Sequence, residues 1–370
     1  MRIATVEALV LQASGEQGAF GAPYGALVRI TTDDGITGYG ETDSLPAMVK
    51  AVVEADYHDE MMSGLAPLLI GEDPRHSDRL WRRMADGTAN IGRDGVTVAA
   101  MAAVDLALWD IRGKAEGRPV HDLLGGARRM SLPYYASHPL GATLEETAGY
   151  ARALRDRDVP AAKFGWTPFG RGDKADDENI VRTLRRELGD DIKLLIDGGI
   201  AFDAATAIER SRMLADYGVH WFEEPLKPYD IEGYRMLRAA SAVPIAAGEM
   251  AMTYGELARL VDNDCVDILQ VDISRVGLTQ AVRVAERAAK VGVACVNHTY
   301  SLDWNLAASL HFCATLALSD LFEVQLGANE LRDRLVPVRP RRVDGEIMVP
   351  DAPGLGVEPD PEALLRYTVA

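Results

Sequence analysis

From about residue 130 onward, short apolar runs alternate with longer segments whose apolar positions recur every three or four residues. The runs are "SLPYYAS", "AAKFGW", "IKLLIDG", "VHWFEEP", "VPIAAGE", "VDILQVD", "VACVNHT" and "LFEVQ". Between them lie helical patterns such as "ADDENIVRTLRREL", with Ile180, Leu184 and Leu188 on one face, and "GLTQAVRVAERAAKVG", with Val284 and Ala288 one turn apart. Thr143 and Glu146 form a capping-box pattern at the start of the first of these helices. Eight strand–helix units in about 200 residues predict a (β/α)8 barrel. The competing open doubly wound sheet lacks its GxGxxG turn here. Upstream the rhythm differs. Ala26–Glu41 reads as two strands around Asp34-Gly35, and a helical region follows, ending in "VTVAAMAAVDLALWDIRGKAEG". The expected fold class is α/β: a modified TIM barrel at 126–336 with an α+β capping domain at 1–125. The boundary falls at Gly125-Gly126. The tail, 337–370, carries one hairpin signal at "RRVDGEIMV" and is expected to pack back on the N-terminal unit.

Charge narrows the function. Lys and Arg number 39 and Asp and Glu 56, a net charge of −17 among 370 residues. That argues against nucleic acid and anionic membrane as partners. An anionic small molecule stays open, because a bound cation inverts the local field. Cys265, Cys295 and Cys313 form no CxxC and no even framework, so a reducing cytoplasm is expected. "MRIATVEALVLQ" reads as a strand, not a leader, and the most apolar window is interrupted by Asp105 and too short to span a bilayer.

One ionisable residue stands at or near the end of seven successive strand candidates: Lys163, Asp197, Glu223, Glu249, Asp272, His298 and Glu323. The steps between them are 34, 26, 26, 23, 26 and 25 residues, about one strand–helix unit each after the first. In a barrel this places them around the carboxyl-terminal rim, where barrel enzymes carry their active sites. A single acid at a loop start is ordinarily a solvated surface group. Asp197, Glu223 and Glu249, on adjacent strands, cannot all ionise in a partly buried mouth without a countercharge. An all-oxygen set favours Mg²⁺. Asp272 beside His298 can fix the imidazole tautomer, although a satisfied buried pair is the alternative. Lys163 faces the site from across the barrel, where a nearby cation would lower its pKa; a snorkelling lysine is the plainer alternative. Glu224 neighbours Glu223 on the other strand face, where a salt link or support of the metal ligands is expected. His311 is assigned to packing.

These residues resemble the enolase superfamily, in its mandelate racemase branch. The resemblance covers essentially the whole chain, including "ALWDIRGKAEGRPVHDLLGG" and "IMVPDAPGLGVE". It implies Asp197, Glu223 and Glu249 as Mg²⁺ ligands and Lys163 as the second lysine of a K-x-K motif. It also implies Asp272 and His298 as a dyad, and a protonated Glu323 as hydrogen-bond donor to a substrate carboxylate. Two positions depart: Ala161 stands at the first lysine of K-x-K, and Gly199 where relatives carry Asn. The implied chemistry is removal of an α proton to give an ene-diolate. Dehydration of an aldonate or aldarate is favoured; racemisation or epimerisation, and cycloisomerisation of a lactone or anhydro sugar, are alternatives. An inactive metal-binding relative acting as a binding protein is the alternative of another class. Tyr24 and Trp166 are candidate substrate contacts. The loops "SGEQGAFGAPYG" and "TANIGRDG" are expected to close over the site, with ordinary surface loops as the alternative. A homo-oligomer is expected.

Overall fold

The computed structural model describes residues 1–13 and 24–369. Most of the loop "SGEQGAFGAPYG", residues 14–23, lies outside the described residues. The cap is a meander of three antiparallel strands, β1 (Ile3–Gln12), β2 (Tyr24–Thr32) and β3 (Thr37–Thr42), covered by a long helix, Gly95–Glu116. The Asp34-Gly35 turn works because Gly35 takes φ +88° and Thr32 Oγ1 accepts the Ile36 N–H. Gly38 and Gly40 alternate along β3, facing the helix. A Cβ at either would collide with the carbonyl oxygens of Ala107 or Ala103. Small residues on both partners thus let helix and sheet approach closely, and Gly117 (φ +64°) ends the helix.

Eight parallel strands form the barrel: β4 (Ser131–Pro139), β5 (Ala161–Gly165), β6 (Lys193–Asp197), β7 (Val219–Glu223), β8 (Ile245–Ala247), β9 (Ile268–Val271), β10 (Ala294–Asn297) and β11 (Phe322–Gln325). Seven lie within predicted runs, and β4 contains the eighth and extends two residues past it. Backbone ladders join β4 through β10 in order and β11 to β4. The last gap, β10 to β11, is closed by a side chain. Asn297 Oδ1 accepts the Glu323 N–H at 2.8 Å and Asn297 Nδ2 donates to the Glu323 carbonyl at 3.3 Å. Tyr135, Ala161, Leu195, Trp221, Ala246 and Leu321 form one apolar cluster within the barrel. Two residues further along β5, β6, β7 and β11 come Lys163, Asp197, Glu223 and Glu323, on the same face by strand periodicity. Ala161 therefore belongs to this apolar layer, beneath the rim.

The tail, expected to pack back on the N-terminal unit, contacts both cap and barrel. Its hairpin, β12 (Arg342–Val343) and β13 (Glu346–Met348), pairs with β4 and so extends the barrel sheet. Against the cap, β14 (Thr368–Val369) pairs with β1, Gly354 bridges to Pro119, and the Leu355 N–H donates to Asp110 Oδ1 at 2.9 Å. The register of two- and three-residue strands is set by what they meet, and sequence does not show that.

Cap and barrel are pinned by buried polar groups. Asp105, midway along the apolar helix, accepts the Thr279 N–H at 2.8 Å and its hydroxyl at 2.6 Å. Glu41 at the end of β3 accepts N–H groups of Leu302 and Trp304. His311, assigned to packing, is fully buried in the helix Asp303–Thr315 and ties two segments together. Its Nδ1 accepts the His121 N–H and its Nε2 donates to the Leu355 carbonyl. Both nitrogens are used by the neutral ring, and burial pushes its pKa down to about 3. Below pH 6.5 the unfolded chain protonates here and the folded chain does not, so stability should fall as pH drops toward 3. The slope from this group is up to about 1.4 kcal/mol per pH unit. His311→Gln should flatten the acid limb of a urea-unfolding series by that amount; an unchanged slope would rule out this assignment. Among the described residues no helix is long and apolar enough to cross a membrane.

Candidate active site

The carboxyl ends of the strands and the cap enclose a cavity of about 420 Å³. Lys163, Asp197, Glu249, His298 and Glu323 line it. Glu223 and Asp272 stand directly behind, against Lys163 and His298. All seven are nine-tenths buried or more.

Lys163 bridges two acids, contacting Glu223 Oε1 and lying 2.8 Å from Glu323 Oε1. Burial alone would lower its pKa, but Glu223 and Glu323 outweigh burial and raise it. That is the opposite of the direction expected beside a cation. Glu323 Oε2 accepts the Thr299 N–H at 2.8 Å, while Oε1 lies 2.8 Å from the Lys163 ammonium as an ion pair and accepts no hydrogen bond. His298 Nδ1 lies 2.6 Å from Asp272 Oδ2, and its Nε2 lies 3.5 Å from Glu249. Burial lowers the imidazole pKa, but Glu249, Glu323 and Asp272 together carry it up to about 10. Asp272 is held firmly: Oδ1 accepts from Ser274 N, Ser274 Oγ and Asn305 Nδ2.

The three acids expected as metal ligands share the rim. Burial raises Asp197 well above the carboxylate range and Glu223 to about 7. Burial also opposes ionisation of Glu249, yet His298, Lys163 and Arg275 hold it low. The donor chemistry fits a divalent cation: three buried carboxylates, with Glu249 Oε2 accepting no hydrogen bond. Among the described residues no three acidic, His or Cys side chains are drawn together to ligand spacing. Glu223 is instead engaged by Lys163 and by Trp221 Nε1 at 3.0 Å.

Glu224 is 4% exposed and takes the supporting role. It accepts the N–H groups of Gly248 and Met250, on either side of Glu249. Gly248 makes the turn possible, at φ +129° with a would-be Cβ 2.6 Å from the Gln270 carbonyl. The turn re-aims the chain after β8 so that Glu249 enters the cavity.

Tyr24 and Trp166 both line the cavity. Gly199, at φ +54°, packs against Trp166, whose Cα would be 3.2 Å from a Cβ there. "TANIGRDG" contributes no lining residue. Sequence reasoning missed Arg275 and Asp43. The Arg275 guanidinium donates to Asp43 Oδ2 at 2.7 Å and to the Glu249 carbonyl at 2.6 Å. Its position three residues after Asp272 was the available signal. Tyr300, also missed, stacks its ring nearly parallel to His298.

A capped barrel with an acidic rim, a lysine on one strand and an Asp–His pair on two others defines a class built for carbon-acid chemistry. Residues 146–363 match the family described as enolase C-terminal domain-like, and residues 18–125 the mandelate racemase/muconate lactonizing enzyme N-terminal domain. The chain belongs to the mandelate racemase/muconate lactonizing enzyme branch of the enolase superfamily, whose members typically use Mg²⁺. It is 29% identical to D-galactarolactone cycloisomerase of Agrobacterium fabrum, over 92% of this chain and 90% of that one. It is 30% identical to arabinonate dehydratase of Saccharolobus solfataricus, over 89% and 86%. The structure of 3,6-anhydro-D-galactonate cycloisomerase from Zobellia galactanivorans superposes with a TM-score of 0.90 at 31% identity, covering 100% of both chains.

Proposed function

We propose that this protein removes the α proton of an acid sugar and then eliminates water from the β carbon. The supporting observation is the single cavity lined by Lys163, by the His298 ring held by Asp272, and by the rim carboxylates. Asp197, Glu223 and Glu249 would hold Mg²⁺. When bound, the ion supplies positive charge where negative charge develops on the substrate carboxylate. Asp272 orients the imidazole through Nδ1, leaving Nε2 toward the cavity for proton transfer. Lys163 and His298 stand on strands β5 and β10 side of the ring, three strand steps apart by the shorter path. One takes the α proton and the other delivers a proton to the departing hydroxyl. A second reading, cycloisomerisation, shares the first step and is favoured by likeness to two cycloisomerases.

The test is α-hydrogen exchange in D₂O with Mg²⁺ and a panel of aldonates, aldarates and sugar lactones, followed by NMR. Exchange is expected in the wild type and is expected to disappear in His298→Asn. A product lighter by one water identifies the dehydratase; an isomer of equal mass whose lactone or anhydro ring has opened identifies the cycloisomerase. A protein that binds Mg²⁺ yet exchanges no acid in the panel is a binding protein, and the proposal falls.

A further inference from the structure

The cations facing the cavity are each already held. Lys163 is shared between Glu223 and Glu323. Arg275 is held by Asp43 and the Glu249 carbonyl. His298 sits between Asp272 and Glu249. His138 lines the wall with Nδ1 2.7 Å from the Pro139 carbonyl, and burial keeps its pKa low. Six carboxylates, Asp43, Asp197, Glu223, Glu249, Asp272 and Glu323, therefore surround three cations. Among the described residues, every Lys or Arg lining the cavity has an acidic or carbonyl partner. Residues 14–23 contain Glu16 and neither Lys nor Arg.

Asp197, Glu223 and Glu249 would hold a divalent ion that, when bound, would offset the charge of one substrate carboxylate at the rim. Nothing comparable faces the cap side. There the lining is Tyr24, Thr42, Asp43 and Ser44, with the guanidinium of Arg275 held against Asp43. Hydroxyl groups suit that wall: they can donate to Asp43 and accept from Ser44, Thr42 or Tyr24. A second carboxylate would meet Asp43, whose partner Arg275 is already engaged by Asp43 itself and by the Glu249 carbonyl, leaving no free cation to receive it.

We infer that the substrate carries a single carboxylate, with a neutral hydroxylated far end, and that Asp43 with Arg275 excludes the dicarboxylate. The class comprises aldonates and those lactones or anhydro acids with one free carboxylate. This rests on the proposed acid-sugar reading and chooses within it.

Binding decides the matter separately from turnover. Calorimetry on Mg²⁺-loaded His298→Asn protein would compare aldonates with aldarates of matched configuration. The best aldonate should bind roughly 100-fold more tightly than its matched aldarate. In Asp43→Asn protein, where Arg275 loses its acidic partner, that ratio should shrink at least about tenfold. Aldarates bound as tightly as aldonates, or neither class bound, would overturn the inference, as would a ratio untouched by Asp43→Asn. Aldonate-selective binding without α-hydrogen exchange in the wild type would uphold the selectivity while removing the catalytic reading.

Discussion

Lys163→Ala should lower α-hydrogen exchange and turnover by between about 10² and 10⁴-fold, the range for a positioned acid–base group. Its ammonium lies at the bottom of the cavity, between Glu223 and Glu323, and is 4% exposed. No other described lysine lines the cavity. The same change should destabilise the protein without added metal. It leaves two fully buried acids short of a countercharge, a loss of about 3–5 kcal/mol when one partner of a buried pair is removed. Added Mg²⁺ should restore much of that stability and none of the exchange. Thermal unfolding with and without Mg²⁺, beside the D₂O assay, separates the two effects. Exchange within threefold of wild type, a loss below about 0.7 kcal/mol in the barrier, would remove Lys163 from the mechanism.

Glu223→Gln should cost turnover about 10³-fold or more, as expected when several kcal/mol of charge stabilisation is lost. The replacement keeps size and an acceptor for Trp221 Nε1, so a large loss would report charge, not packing. Metal binding gives the independent reading. With Mg²⁺ at 100 times its Kd, the wild type should gain about 2.7 kcal/mol in unfolding free energy. The variant should gain far less at the same concentration. Equal stabilisation of both proteins would take Glu223 out of the proposed ligand set.

The two adjacent acids of "FEEP" use two faces of one chain. Glu223 closes strand β7 and faces the barrel interior. Glu224, at φ +31°, turns away and braces the backbone around Glu249. The pair was legible as unusual because adjacent like charges at the end of an apolar strand need compensation. Their separate uses were not legible, since they depend on where strand β8 lies.

Strand positions and rim residues could be read from the chain because both follow from local periodicity. A buried parallel strand must be apolar, and the residue that ends it must face the barrel mouth or the loops. The same logic cannot reach Arg275 and Asp43, 232 positions apart in sequence, or Asn297 standing in for a missing ladder between β10 and β11. The polar, glycine-rich composition of "TANIGRDG" suits any exposed loop, and none of its residues lines the cavity.

By itself the sequence determined the number and order of the strand–helix units, the cap ahead of them, and the seven ionisable side chains spaced one unit apart. These are matters of alternation and count, carried by neighbours along the chain. Only the tertiary structure decided which acid pairs with which cation, how the tail divides between barrel and cap, and that the cap wall of the cavity holds Asp43 with its arginine already engaged. Such pairings depend on distances closed by folding, and electrostatic interaction follows distance in space, not separation along the chain.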